Sequence, residues 1–524
     1  MAKSTKSTKP QKAIEVVLWD AANKLRGSIE PGEYKHVVLS LIFLKYANDR
    51  FNEQRAKLIA DGQEMFVEMP MFYEQNNVFY IPENARWDYL MKNAKQADIA
   101  LKVDNAFVEI EANNTLLNGA LPDDNYFSKK LDKKVLSELL DKFNEINLCN
   151  YDDKDIFGRI YEYCLAKFAI SEGKGKGEFY TPSSVVQLLC ELIEPYEGIV
   201  YDGACGSGGM FVQSMKFIER HQANTDNISV YGQEYTPTTR KLAMMNLAIR
   251  GIAANIGAKA ASTFQEDQHP DLKCDFALMN PPFNQKSWRQ ETEMLDDPRW
   301  RGYEVPPVSN ANYAWILNMV SKLNQNGVGA LLLANGALGA DGVEGQIRKQ
   351  LIENDLVEAV IILPRDMFYS TDISVTIYIF NKNKNKRTVQ KNGNDITYRD
   401  RRGEVLFIDY RNRGHVNSEK YIEVNEDDIK EIATIYHNWK SIDKDTLYKD
   451  IPEFCYSASL TDLRNNEHSL VLSKYVEFID HGLNIDYDTE MARIQKEMKE
   501  LMKEEKATQK MLADAFGGIS YGIE

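Results

Sequence analysis

Residues 199–210 read IVYDGACGSGGM, and their order decides the fold. The apolar run IVYDG (199–203) predicts a strand, the glycines a tight turn, and the residues beyond them a helix. Strand, glycine-rich turn and helix in succession form a loop for a nucleotide-type ligand. Gly206, Gly208 and Gly209 let the backbone turn tightly and approach a ligand closely, and the following helix presents free N–H groups there. No Gly-Lys-Ser/Thr follows, which disfavours phosphate transfer. Dinucleotide enzymes use similar loops, so this stretch alone leaves the ligand open.

Further short apolar segments follow: ISVYGQE (228–234), DFALMNPP (275–282), GALLLA (329–334), EAVIILP (358–364), SVTIYIFN (374–381) and EVLFIDY (404–410). From about residue 170 they alternate with helical stretches. That texture predicts an α/β, mostly parallel, doubly wound Rossmann-like sheet, with ligands at the carboxyl ends of its strands. Residues 1–165 read instead as a helical N-terminal domain, with helical periodicity in 13–27, 36–51 and 133–146. The sheet domain spans 166–410, a mixed extension 411–483, and a helical tail 484–524. In that tail Met491, Ile494, Met498 and Leu501 repeat at heptad-like spacing. Such a stripe either packs on its own domain or receives a partner helix. The segment NKNKNKRTVQKNGND (381–395) reads as a polar, basic loop, either solvated or touching a DNA backbone.

Composition bounds the class. A chain of 524 residues with 43% hydrophobic and 27% charged content is a soluble globular protein of several domains. No apolar run approaches the ~20 residues that cross a bilayer, and the polar, basic start carries no secretory signal. The expectation is a cytoplasmic chain with no membrane partner. Six scattered cysteines without a CxxC pair, and seven unclustered histidines, predict reduced thiols and no metal site. The formal net charge of -15 implies that if the chain works on DNA, something else supplies most of the grip.

Three elements carry chemistry beyond the glycine loop. Glu234, at the end of the second strand, can accept hydrogen bonds from both ribose hydroxyls of an adenosine-containing cofactor. Asn280-Pro281-Pro282-Phe283 follows the strand DFALM. At ~5% usage per residue type this tetrapeptide arises by chance in about a few per thousand chains of this length. Its position at a strand's carboxyl end is equally telling. An adenine amine is a poor nucleophile because its lone pair is delocalised into the ring. The Asn280 side-chain carbonyl and the Pro281 backbone carbonyl can accept its two hydrogens and stabilise the charge that develops on attack. Two prolines stiffen the turn, and Phe283 offers a ring for an extruded base. Upstream, the glycines and lysines of GKGKGEFYTP (173–182) predict a flexible loop whose Tyr180 and Thr181 can close over a cofactor. Asp267 can bond the cofactor's adenine amine, although Glu266 and Asp271 lie near enough to compete.

GEFYTP, DGACGSGGM, GQE and NPPF, in that order, resemble the modification subunits of type I restriction-modification systems. LRGSIEPGEYKHVVLSLIFLKY, LPRDMFYSTDISVTIYIFN and RGEVLFIDYRN extend the resemblance to about residues 10–480. It implies a methyltransferase sheet and an adenine-N6 DNA methyltransferase that uses S-adenosyl-L-methionine. Carried over, it makes Tyr180 and Thr181 lid residues. Asp202, Ala204, Gly206 and Gly208 line the methionine part of the cofactor, Glu234 holds the ribose and Asp267 the adenine. Asn280, Pro281 and Phe283 hold the target base. The implied partners are double-stranded DNA, a separate specificity subunit, a second copy of this chain and, in some complexes, a restriction/translocase subunit. The N-terminal domain would clamp DNA and the tail would meet the specificity subunit. Gly203 departs from the family, where proline is more usual, and is expected to be harmless. Competing readings are a stand-alone adenine methyltransferase, a protein-amide methyltransferase, a catalytically silent assembly module and an NAD enzyme. The last leaves NPPF unexplained.

Overall fold

The computed structural model describes residues 19, 31–122, 127, 132–145, 156–172, 181–368, 372–417, 421–443, 448–479 and 486–518. Up to Val476 they cluster as one unit, and from Glu477 as a second.

Helix formation in the N-terminal region follows apolar spacing. α1 (Pro31–Ala60), α2 (Ile99–Ala112), α3 (Lys133–Asn144) and α4 (Ile156–Glu172) dominate, and no described residue before Gly198 lies in a strand. In α3, Leu136, Leu139, Leu140 and Phe143 fall on one face and are buried. Each such side chain stabilises by roughly 1.5–3 kcal/mol when fully buried. Asp132 caps that helix by accepting from Lys134 N at 2.8 Å. The expected helix at 13–27 lies outside the described residues except for Trp19, which is buried.

Nine strands form one sheet. They are β1 (Gly198–Asp202), β2 (Ile228–Gly232), β3 (Ala254–Asn255), β4 (Cys274–Met279), β5 (Leu323–Ala334), β6 (Val357–Ile362), β7 (Val375–Asn381), β10 (Glu404–Asp409) and β13 (Cys455–Ser459). Their order is β13-β10-β6-β7-β5-β4-β1-β2-β3. β7 runs antiparallel between β5 and β6, and β13 antiparallel to β10; the other pairings are parallel. Strands β6 and β7 are buried along their whole length, as a sheet covered on both faces requires. Alternation then sorts side chains between two cores. Ala330, Leu332, Ile377 and Ile379 enter one, with α5 (Ser183–Ile193) and α6 (Gly209–Arg220). Leu331, Leu333, Tyr378 and Phe380 enter the other, with α8 (Asn312–Lys322) and α9 (Gly342–Glu353). The helical N-terminal core does not close on itself. It continues into Leu242, Met245 and Ala248 of α7 (Pro237–Ile249), a helix of the sheet region. The chain leaves β1 for β2 on one side, and β4 pairs with β1 on the other. This reversal opens a crevice at the strands' carboxyl ends.

The basic segment expected as a loop is ordered differently. Residues 387–391 and 394–398 form a hairpin, β8 (Arg387–Lys391) with β9 (Asn394–Tyr398). Asn392 and Gly393 take φ of 46° and 76° at its two-residue turn, which suits the Asn-Gly dipeptide. β11 (His415–Val416) and β12 (Ile422–Glu423) make a second short antiparallel pair. α10 (Glu426–Lys440) opens on a reciprocal Asn425–Asp428 capping box. In the second unit, α11 (Tyr487–Gly518) carries exposed Ile494, Met498 and Leu501. No helix among the described residues is long and apolar enough to cross a membrane. Five described cysteines are buried and free. Cys149 lies outside the described residues.

Candidate active site

The glycine loop is pinned from all sides. Asp202 ends β1, fully buried, and its Oδ1 accepts from Ala204 N at 2.9 Å. Burial raises its pKa to about 8; the nearby Glu234 charge adds to this and the Ala204 N–H opposes it. Gly206 and Gly208 hold φ of 53° and 81°. α6 starts directly after. Gly206 N donates to Glu234 Oε2 at 3.0 Å, and Thr236 N donates to Glu234 Oε1 at 2.8 Å. The Thr263 hydroxyl donates to Gly203 O, and Asn246 Nδ2 to Ser207 O at 2.8 Å. A Cβ on Gly206 would meet nothing within 4 Å, so the loop faces open space.

That space is a cavity of about 370 Å³ at the carboxyl ends of β1, β2 and β4. Ala204, Gly206, Glu234 and Asn280 border it, with Leu165 and Phe168 of α4. Its aromatic wall has no counterpart among the sequence expectations. Phe264 packs on Trp288 at 4.6 Å and on Trp315 at 4.4 Å between ring centres. Arg299 braces this wall by donating to Thr263 O and Phe264 O, each at 2.6 Å.

Asn280 follows β4 and is buried. Its Nδ2 donates to Thr181 Oγ1 at 2.6 Å. Its Oδ1 is buried without a hydrogen-bond partner among the described residues. A buried carbonyl left unpaired costs about 1–3 kcal/mol unless a ligand satisfies it. Pro281 is buried, and Phe283 is half-buried edge-on to Phe368 at 6.2 Å. Neither Pro281 nor Phe283 is among the residues lining the cavity. The turn beyond is locked by amides. Asn284 N donates to Asn312 Oδ1 at 3.0 Å, and Asn312 Nδ2 returns to Asn284 Oδ1 at 2.9 Å. Asn312 begins α8 and carries no sequence signal of that task.

Asp267, like Asp202 and Gly208, is not among the residues bordering the cavity. Lys322, nearly fully buried, takes its Oδ2 at 2.6 Å, and His269 N takes Oδ1 at 2.9 Å. Ser262, Thr263, Phe264 and Gln265 face the cavity instead. A Cβ on Gly203 would meet Tyr201 Oη at 2.8 Å and Met279 Cε at 3.2 Å. Tyr180 lies outside the described residues, as do 173–179. Among the described residues no cluster of side chains could hold a metal ion.

A sheet of this order, with a glycine loop after β1 and Asn-Pro-Pro-Phe after β4, defines the methyltransferase class of α/β fold. Residues 152–481 match the family described as N-6 DNA Methylase, and residues 14–143 match the HsdM N-terminal domain. A type I restriction enzyme HindI methylase subunit from Haemophilus influenzae is 38% identical, over 84% of this chain and 100% of its own length. The MjaIX methylase subunit of Methanocaldococcus jannaschii is 33% identical, over 96% of this chain and 91% of its own. A solved methyltransferase subunit of a type I restriction-modification system from Streptococcus thermophilus shares the fold, with a TM-score of 0.72 at 23% identity, over 88% of this chain and 99% of that one. The chain belongs to the N-6 DNA methylase family, among the methylase subunits of type I restriction enzymes.

Proposed function

We propose that this chain transfers a methyl group to the N6 amine of a flipped-out adenine in double-stranded DNA, as the modification subunit of a type I restriction-modification complex. The observation that carries this reading is the buried, unpartnered Asn280 Oδ1 beside the cavity beyond β4. Oδ1 and the Pro281 carbonyl accept the two amine hydrogens, aim the nitrogen lone pair and stabilise the positive charge that develops there. With Asn280 Nδ2 donating to Thr181 Oγ1, the amide oxygen is the end left for the amine. Phe283 supplies a stacking face for the extruded base.

S-adenosyl-L-methionine suits the residues present. A cavity of about 370 Å³ falls within the range for small-ligand sites. Glu234 would hold the ribose hydroxyls. Asp202, Ala204, Gly206 and Gly208 would border the methionine portion, and Tyr180 and Thr181 would cover it. Asp267, whose Oδ2 also pairs with Lys322, would hold the adenine, with Phe264 beside it. When bound, the cofactor supplies an electrophilic methyl group.

The net charge of -15 supports a partner-dependent grip on DNA. In this reading a specificity subunit selects the site, two copies of this chain flank the DNA, and residues 1–165 clamp it. The exposed stripe of α11 meets the specificity subunit. A restriction/translocase subunit joins in complexes that also cut. The whole works in the cytoplasm. The test is methylation of host DNA in a methylation-free bacterium expressing this chain, alone and with the product of its neighbouring reading frame. Adenine methylation at a split motif only with the neighbour supports the reading; methylation by the chain alone makes it self-sufficient. Asn280→Ala should lower transfer by about 10²–10³-fold while cofactor binding persists. Transfer at the wild-type rate would overturn the catalytic assignment.

A further inference from the structure

A second cavity, of about 630 Å³, lies at the opposite edge of the sheet. Gly198 at the start of β1, Asp275 at the start of β4 and Asn381 at the end of β7 form its floor. The β8–β9 hairpin and the last turn of α10 complete the wall through Arg387, Lys391, Tyr398, Tyr436 and Lys440.

Most of its charges are matched. Lys391 Nζ pairs with Glu194 Oε2, and Arg401 Nε meets buried Glu358 Oε1 at 2.9 Å. The Asp275 carboxylate accepts from Ile199 N at 2.8 Å and from Asn324 Nδ2 at 2.7 Å. Glu197, at the rim, is exposed.

Two cations, Lys440 and Arg387, and two carboxylates, Asp275 and Glu197, make no ion pair among the described residues. Lys440 is 5% exposed, and its ammonium lies 4.1 Å from the Tyr436 ring centre and 5.1 Å from that of Tyr398. That ammonium makes no hydrogen bond or ion pair with any described residue. Burial, reinforced by the Lys391 charge, pushes its pKa down to about 7, against the pull of Glu194 and Glu358. Arg387 donates from Nη1 to Asn326 Oδ1 at 3.0 Å, while its Nε is buried without a partner among the described residues. A buried cation without an ion pair, as Lys440 is, is costly unless an anion joins it. Lys440 and Arg387 line one cavity large enough for a nucleotide-sized ligand.

We propose that this cavity binds a small phosphate-bearing anion, with Lys440 and Arg387 on its oxygens and the Tyr398 and Tyr436 side chains walling the rest. The anion is either inorganic or carried by a nucleoside. The site is separate from the methyl-transfer cavity and independent of its chemistry.

Isothermal titration of the full chain with pyrophosphate, and separately with cytidine 5′-diphosphate, tests it. Saturable binding of either probe should weaken about tenfold or more in Lys440→Met and in Arg387→Gln. Tighter binding of the nucleotide would identify a nucleoside-borne ligand; equal binding would identify the free anion. Arg387 sits half-buried on the hairpin, so its variant should keep the wild-type melting transition and circular dichroism even if Lys440→Met does not. No saturable binding of either probe at millimolar concentration overturns the proposal. Binding that Arg387→Gln and a folded Lys440→Met leave unchanged overturns it equally.

Discussion

The two ends of the sheet are built by different means. At the carboxyl end, ligand-facing groups come from turns directly after β1, β2 and β4, and main-chain hydrogen bonds hold them. At the amino end, the cavity is assembled from side chains far apart in the chain, such as Glu194, Asn326, Arg387 and Lys440, and ion pairs hold it. The first design leaves Asn280 Oδ1, beside the cavity, without a hydrogen-bond partner among the described residues. The second stakes stability on charge balance. Damage at one end should therefore silence the enzyme without unfolding it, and damage at the other should unfold it without a specific chemical defect.

The largest effect expected from that contrast is on stability. Arg401→Met strands the Glu358 carboxylate, which is fully buried. Denaturant unfolding should show a loss of about 3–5 kcal/mol. A loss under about 1 kcal/mol would mean that Asn381 and Tyr436 satisfy Glu358 without the arginine, and would erase the distinction between the two ends.

Acid–base behaviour separates the ends by sign. Asp202 has its pKa raised to about 8 from 3.8. The folded state therefore holds its proton where the unfolded state has lost it, so its stabilising contribution is present at low pH and fades as pH rises through about 8. Lys440, lowered to about 7 from 10.5, behaves oppositely. There the unfolded state binds the extra proton, and its contribution to stability grows as pH climbs from about 7 toward 10.5. In melting curves from pH 6 to 9, wild type should lose stability relative to Asp202→Asn and gain it relative to Lys440→Met. Parallel curves for all three would refute both assignments.

Sequence made the carboxyl end legible because its contacts are local. Asp202, Ala204, Gly206 and Gly208 sit in one loop, and Glu234 and Asn280 each follow a strand that its apolar run discloses. Glu266, Asp267 and Asp271 are equivalent in composition, and only the fold shows that Asp267 is the one paired with Lys322. Phe264, Trp288 and Trp315 gave no signal, since core aromatics look the same in sequence. Nor did the Asn284–Asn312 clamp, whose partners meet only after folding. The amino end was illegible throughout, having no motif to read.

Gly203 sharpens the contrast from within the carboxyl end. Gly203→Ala should destabilise by about 1–3 kcal/mol through overpacking against Tyr201 Oη. Adding Tyr201→Phe removes that oxygen, which has no hydrogen-bond partner among the described residues. The double variant should recover most of the loss. Failure to recover would show that Met279 and Asn318, not the phenol, set the limit.

The smallest effect falls on the hairpin that was expected to be a loop. Gly393 has a φ of 76°, and a Cβ added there would stand in open space, so Gly393→Ala meets conformational strain but no clash. A left-handed alanine costs about 1–2 kcal/mol, and most of that should appear as local fraying, read by faster amide exchange over 387–398. Methyl transfer should be unaffected, because the hairpin walls only the amino-end cavity. If the variant instead lowered transfer, the two ends would be coupled through the sheet, and the separation of chemistry from charge balance would fail.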